Sequence, residues 1–325
     1  LIDLAAARVG GRAVLANDEF FASKANLLKA GHPVFIEGKY TSRGKWMDGW
    51  ETRRRRTPGN DWCIVRLGIP GVVRAVTVDT RHFRGNHPES CSLDGAALPG
   101  DPAAARLRRA TVPWRAILQP SPLAENTENE LTVADDARIT HVRLNIFPDG
   151  GVARLRVWGE ARPDWAAIEA GKQRLDLVAI AHGGVPLAAS DKFFSEPVNL
   201  LMPGPPADMG DGWETRRRRG PGHDWVILRL GARGTIEAVV VDTTRFKGNF
   251  PESARLEGCD APELGTRDVP DESARWRELV PRTKVKADAV HRFRAVGRSG
   301  PVTHVRLSIY PDGGVARLRL YGRRA

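Results

Sequence analysis

Only three cysteines occur in 325 residues, Cys63, Cys91 and Cys259, and no two stand in a CxxC spacing. So sparse and odd a set argues against both a disulfide framework and a zinc site. No apolar run approaches the roughly 20 residues that span a bilayer. The opening "LIDLAAARVGG" lacks the apolar stretch of a signal peptide, so a reduced, cytoplasmic compartment is expected. There is no GxSxG elbow, no P-loop, no GxGxxG before a helix and no HExxH pair. Nucleophilic serine chemistry and a protein-only metal cage thus have no support in spacing. Acidic residues are also outnumbered: 39 Asp and Glu face 50 Lys and Arg, for a formal charge of +11. That imbalance speaks to partners and solubility, not to fold. It leaves nucleic acid, anionic surfaces and small anions in play.

What is present is a unit written twice. "DGWETRRRR" at residues 48–56 returns at 211–219, 163 positions on. "PGNDW" at 58–62 becomes "PGHDW" at 221–225, and "VDTRHFRGNHPES" at 78–90 becomes "VDTTRFKGNFPES" at 241–253. "THVRLNIFPDGGVARLRVWG" at 140–159 matches 303–322 with the same shift. "DLAAARVGG" at 3–11 matches "DLVAIAHGG" at 176–184, 173 positions on, so ten extra residues lie in the first copy within "GHPVFIEGKYTSRGKWM". This is a domain-sized tandem duplication and not a short-period solenoid. The expected organisation is residues 1–160, a linker over 161–175 with a helical turn, and residues 176–325.

Within each copy the pattern is β. "THVRLNIF" alternates, Val142, Leu144 and Ile146 on one face and His141, Arg143 and Asn145 on the other, which argues for a half-buried strand. "PDGG" should close a hairpin onto "VARLRVWG". "WCIVRLG" and "VVRAVTVDT" read as two further strands bounded by Gly and Pro. An all-β chain of two jelly-roll sandwiches follows, with an immunoglobulin-like sandwich as the alternative.

The polar letters shared by both copies are the candidates for chemistry. They are Glu51/Glu214, the arginines 53–56 and 216–219, Asp61/Asp224, Asp79/Asp242, Asn86/Asn249, Arg143/Arg306, Asp149/Asp312 and Arg154/Arg317. The arginine run is expected to alternate in a strand, with Glu51, Arg53 and Arg55 on one face and Arg54 and Arg56 on the other with Trp50. Guanidinium binds a carboxylate through two parallel bonds, which suits small-anion recognition with internal ion pairs. Nearby Glu and Asp would repel a phosphate backbone. Asp79 and Asp242 end "VDT" before a Gly-Asn turn, where a turn-capping role competes with ligand binding. Asp149 and Asp312 sit in "PDGG", where a turn role is favoured. His82 is the leading candidate for proton transfer because imidazole titrates near neutrality; Arg245 replaces it in the second copy. His141 and His304 are alternatives.

Together "GKWMDGWETRRRR", "NDWCIVRLG", "VDTRHFRGNHPES" and "THVRLNIFPDGGVARLRVWG", with their second-copy versions, resemble the allantoicase family over nearly the whole chain. That resemblance implies two jelly-roll units of the galactose-binding-like class and hydrolysis of allantoate to ureidoglycolate and urea. Two departures, Asn60 against His223 and His82 against Arg245, imply that the two copies do not hold identical sites. Allantoate carries one carboxylate and two ureido arms on one carbon. The chemistry assigns catalysis to Asp79, His82 and Glu51. Substrate binding falls to Arg53, Arg54, Arg55, Asn86, Asp149 and Arg154, and in the second copy to Glu214, Arg216, Arg217, Asp242, Asn249, Asp312 and Arg317. No obligatory cofactor is expected; a divalent metal on His82, Asp79 and Glu51 stays open. The expected partners are allantoate and further copies of the chain, through an insertion containing Tyr40 and Trp46, with no nucleic acid and no membrane. A non-catalytic tandem carbohydrate- or anion-binding module is the rival reading.

Overall fold

The computed structural model describes residues 1–325 apart from 172–173, 266, 272–273 and 296–299. The chain forms two compact units, Leu1–Arg162 and Pro163–Ala325. The stretch expected as a linker contains helix Trp165–Ala170, which belongs to the second unit; its residues 172–173 lie outside the described residues.

Unit 1 contains β1 (Ile2–Asp3), β2 (Arg12–Ala16), β3 (Tyr40–Thr41), β4 (Gly44–Lys45), β5 (Trp50–Glu51) and β6 (Asp61–Asp79). It continues with β7 (Ser90–Ala96), β8 (Arg115–Pro122), β9 (Glu128–Thr132), β10 (Arg138–Phe147), β11 (Gly151–Val152) and β12 (Arg154–Ala161). Unit 2 repeats the plan with β13 (Leu175–Asp176), β14 (Val185–Ala189), β15 (Trp213–Glu214), β16 (Asp224–Asp242) and β17 (Ser253–Cys259). Its remaining strands are β18 (Arg277–Lys284), β19 (Val290–Arg294), β20 (Val302–Tyr310), β21 (Gly314–Val315) and β22 (Arg317–Arg324). All named pairings are antiparallel, and each unit is a jelly-roll sandwich.

Two expectations about these strands need correction. The runs around Cys63 and Val76 are not two strands but one, the 19-residue β6. Its first part, Asp61–Arg66, pairs with β2 and β10. Its last part pairs with β10 at Gly71 and Val72, with β12 from Gly71 and with β9 from Ala75. Between them Leu67–Pro70 has no ladder partner, and the amides of Gly68 and Ile69 donate to the Leu4 carbonyl instead. Pro70, which has no amide to offer, sits in this unpaired stretch where β6 passes from one layer to the other. The order β1–β12–β6–β10–β7–β8 is therefore continuous although it builds both layers.

The second correction concerns "PDGG". β10 and β12 do not form a hairpin; each pairs with β6. The connection crosses between layers and places β11 against β5, Gly151 opposite Glu51 and Val152 opposite Trp50. β10 is also not half-buried. Val142, Leu144 and Ile146 are buried, but so are His141 and Asn145, because β10 is central between β6 and β7.

The crossing leaves no room above Phe83. This ring is fully buried against Met47 and Ala153, and a methyl group on Gly151 would lie 1.9 Å from its Cδ1. Gly314 faces Phe246 in the same way in unit 2, at 2.0 Å. Overpacking of this kind costs roughly 1–3 kcal/mol. Gly151→Ala is expected to lower the urea unfolding midpoint accordingly, and a parent-like midpoint would refute the tight packing.

Candidate functional site

Residues 52–60 are irregular, so the arginine run has no strand faces; only Trp50 and Glu51 are extended in a pair. Its side chains nevertheless divide in two. The Arg53 Nε donates to Asp18 at 2.7 Å, and Arg55 Nη1 donates to buried Asp61 at 2.7 Å. The Arg55 amide donates to Asp149 Oδ2 at 2.8 Å, which gives that carboxylate its role in the turn. Arg54 is exposed and has no ion-pair or hydrogen-bond partner among the described residues. Unit 2 copies the scheme. Arg216 pairs with Asp191, Arg218 with Asp224, the Arg218 amide with Asp312, and Arg217 is exposed without a partner.

Arg154 lies on β12 and is 3% exposed. Its Nη2 donates to Asp48 Oδ2 at 2.6 Å, while Nη1 donates to the carbonyls of Asp48 and Ala153. Asp48 also accepts from Lys29 Nζ at 2.9 Å and the Val34 amide at 3.1 Å. Burial alone would raise this carboxyl, but the bonds from Arg154, Lys29 and Val34 outweigh it and hold its pKa at about 2. Arg317 makes the corresponding pair with Asp211 and also donates to the carbonyls of Gly204 and Pro205. Both guanidiniums are buried and hold ion pairs, Arg154 with Asp48 and Arg317 with Asp211.

Asp79 is buried at the end of β6. Its carboxylate accepts from the Arg81 amide at 2.9 Å and from the Arg81 guanidinium at 2.6–3.1 Å. Asp242 accepts from the Thr244 amide at 2.8 Å. The turn-capping alternative describes both. His141 and His304 are buried in the central strands β10 and β20, and burial lowers both pKa values, His141 to about 4. Among the described residues no group of three His, Cys, Asp or Glu side chains is gathered in a way that could hold a metal ion.

What the fold does bring together is His82, Asn86 and Glu51. A cavity of about 380 Å³ in unit 1 is lined by Phe35, Lys45, Met47, His82, Arg84 and Asn86. Asn86 Nδ2 donates to Glu51 Oε1 at 2.8 Å. Burial raises the Glu51 carboxyl above the usual glutamate value, and the Asn86 bond only partly opposes this. His82 has φ 71°, a conformation uncommon for any residue but glycine, and its amide is held by Asn126 Oδ1 at 2.9 Å. Its Nε2 lies 3.2 Å from the Pro33 carbonyl. A carbonyl only accepts, so Nε2 carries the hydrogen, and Nδ1 of the neutral ring presents a lone pair. The ring stacks on Phe35 with centroids 5.8 Å apart.

Three of these walls come from the insertion. Its first half is clasped to the loop after β6 through His32 against Arg81 and Pro33 against His82, and its second half is the β3–β4 hairpin. Unit 2 keeps the skeleton without the imidazole. Arg245 has φ 76° and its amide donates to Asp288 at 2.8 Å, while Asn249 donates to Glu214. Arg84 and Lys45 were missed in the sequence. The signal available was the charge kept in "HFRGN" and "RFKGN" while the letter changes, together with the lysine of the extra segment.

The model of a family described as Allantoicase repeat matches residues 2–162 and again 175–325. This chain belongs to the allantoicase family. A probable allantoicase of Pseudomonas aeruginosa is 48% identical over 323 residues, covering 99% of this chain and 95% of the relative. Probable allantoicase 2 of Burkholderia pseudomallei is 45% identical over 329 residues, with 100% and 95% covered. The crystal structure of Saccharomyces cerevisiae allantoicase superposes with a TM-score of 0.79 at 33% identity, covering 99% of this chain and 93% of that one. The allantoicase repeat thus accounts for both units.

The buried pair makes a pH-dependent prediction. An aspartate held low stays ionised in the folded state where the unfolded chain already takes up a proton. Its stabilising contribution is complete above the ordinary value of 3.8 and is lost as pH falls towards about 2. Asp48→Asn removes one partner of a buried pair, which costs about 3–5 kcal/mol at neutral pH. Its thermal midpoint should approach the parent's between pH 4 and 2; a constant gap would contradict the assignment.

Proposed function

We propose that this chain hydrolyses allantoate to ureidoglycolate and urea, and that the reaction takes place in the unit 1 cavity. The observation that carries the location is His82, whose Nδ1 is left free by the Nε2–H bond to Pro33 and which lies in one cavity wall with Asn86. The full-length match to probable allantoicases supports the enzyme over a non-catalytic binding module.

In this proposal Nδ1 of His82 takes a proton from water as its oxygen bonds the central carbon of allantoate. The bond from that carbon to one ureido nitrogen breaks, and the nitrogen takes up a proton and leaves as urea. Glu51 does not line the cavity and retains its proton to higher pH than a free glutamate; it holds Asn86, and the proton taken up by His82 passes to the leaving nitrogen. The side-chain oxygen of Asn86 accepts a ureido N–H while its amide holds Glu51 in place. Asp79, Asp149, Arg53 and Arg55 support the frame through their internal bonds. Unit 2, with Arg245 in place of the imidazole, does not turn substrate over.

The cytoplasm is the proposed compartment, in keeping with three cysteines that are free and buried. No helix among the described residues is long and apolar enough to cross a membrane. Self-association through the insertion belongs to the same proposal, supported by exposed Val34, Phe35, Ile36 and Tyr40.

His82→Gln is expected to lower kcat for urea release by roughly 10²–10⁴-fold, the usual worth of a positioned acid–base group. Arg245→Gln should stay within about 2-fold of the parent, since no acid–base group is removed. Steady-state assays at saturating allantoate, with thermal unfolding as the check on folding, decide the matter. Parent-like turnover in folded His82→Gln, or collapse in Arg245→Gln, would move the site elsewhere.

A further inference from the structure

We infer that Arg84 and Lys45 form the clamp for the carboxylate of the substrate, so that unit 1 selects ureido compounds bearing an acid over their neutral forms. The inference rests on the proposed site, but its test does not require turnover.

The argument starts from which cations are spoken for. Arg53 pairs with Asp18, Arg55 with Asp61, Arg81 with Asp79 and Glu128, and Arg154 with Asp48. Arg54, although free, does not line the cavity. Of the six lining residues two are cations, Lys45 and Arg84, and neither has an anionic partner among the described residues. Lys45 Nζ sits over the Phe35 ring, 4.6 Å from its centroid, and Arg84 is exposed with no hydrogen bond. No carboxylate lines this cavity. The lining places the charges of Lys45 and Arg84 beside the apolar walls of Phe35 and Met47. Two unneutralised cations facing one small space repel each other, and that cost is relieved when an anion enters. Arg84 offers a planar fork suited to the two oxygens of a carboxylate, and Lys45 offers a point charge.

Unit 2 supports the assignment by contrast. Lys247 keeps the charge of Arg84, but at the displacement that aligns the two "DGWETRRRR" blocks, Asp208 stands where unit 1 has Lys45. Unit 2 thus has an acidic residue in place of the second cation at this displacement, and it also lacks the imidazole. The segment that contains the insertion supplies both an aromatic wall and the second cation.

The test uses ureidoacetate and its neutral isostere ureidoacetamide, titrated calorimetrically into the full-length parent, Arg84→Gln, Lys45→Met and Arg84→Lys. The parent is expected to favour the acid, and Arg84→Gln to lose roughly 10- to 100-fold of that preference, the worth of a charge-assisted bond. Lys45→Met should lose part of it, Arg84→Lys should retain part, and affinity for the amide should hold within about 2-fold because it carries no charge to lose. In allantoate assays the loss in Arg84→Gln should fall on KM more than on kcat. A parent with no preference for the acid, or an equal drop for acid and amide in folded Arg84→Gln, overturns the clamp. A parent that favours the acid yet releases no urea from allantoate strikes the proposed reaction and upholds the clamp, so the two failures are told apart.

Discussion

The buried carboxylate of Asp48 is the contact on which unit 1 depends. It gathers a guanidinium from β12, the ammonium of Lys29 and the amide of Val34, and so ties a sheet strand, the segment before the insertion and the insertion itself to one point. Such a charge is tolerated in the interior only because every partner is in place. The equivalent Asp211 and Arg317 hold a shorter loop through the carbonyls of Gly204 and Pro205. The same ion pair therefore anchors two different loops, and the longer one closes a cavity.

The doubled arginine run is intelligible in these terms. In each unit the first and third arginines find aspartates within the unit, and an aspartate in the "PDGG" turn takes the amide of the third. The run stitches the irregular stretch after β5 and β15 onto the crossing between layers, which also brings Glu51 under Asn86. Identity between the copies reflects this shared stitching as much as any chemistry. The copies differ at His82/Arg245 and at Lys45/Asp208.

The aspartates illustrate why retained polar letters did not map onto a site. Asp79 and Asp242 each accept from the backbone amide two residues on, and Asp149 and Asp312 accept from the Arg55 and Arg218 amides, 94 positions away in the chain. A capping aspartate and a catalytic aspartate look alike in a sequence, since both need a short carboxylate at a strand end. Only the partner distinguishes them. His82 differs because its ring, not only its backbone, is held by a contact from a separate segment.

The sequence by itself determined the duplication, the β character of both copies, the family and the short roster of groups able to move a proton. Those properties are written in periodicity and in long shared blocks, which survive without knowledge of neighbours. Tertiary structure alone decided that β6 is one strand serving two layers, and that β10 is buried on both faces. It alone decided that Arg154 is spent on Asp48, and that residues 33 to 47 fold over His82 to fix its tautomer and leave Lys45 and Arg84 without counter-ions. Each of these depends on which side chain meets which across 30 or more positions of chain, and pairing at that range is set by packing and not by local pattern.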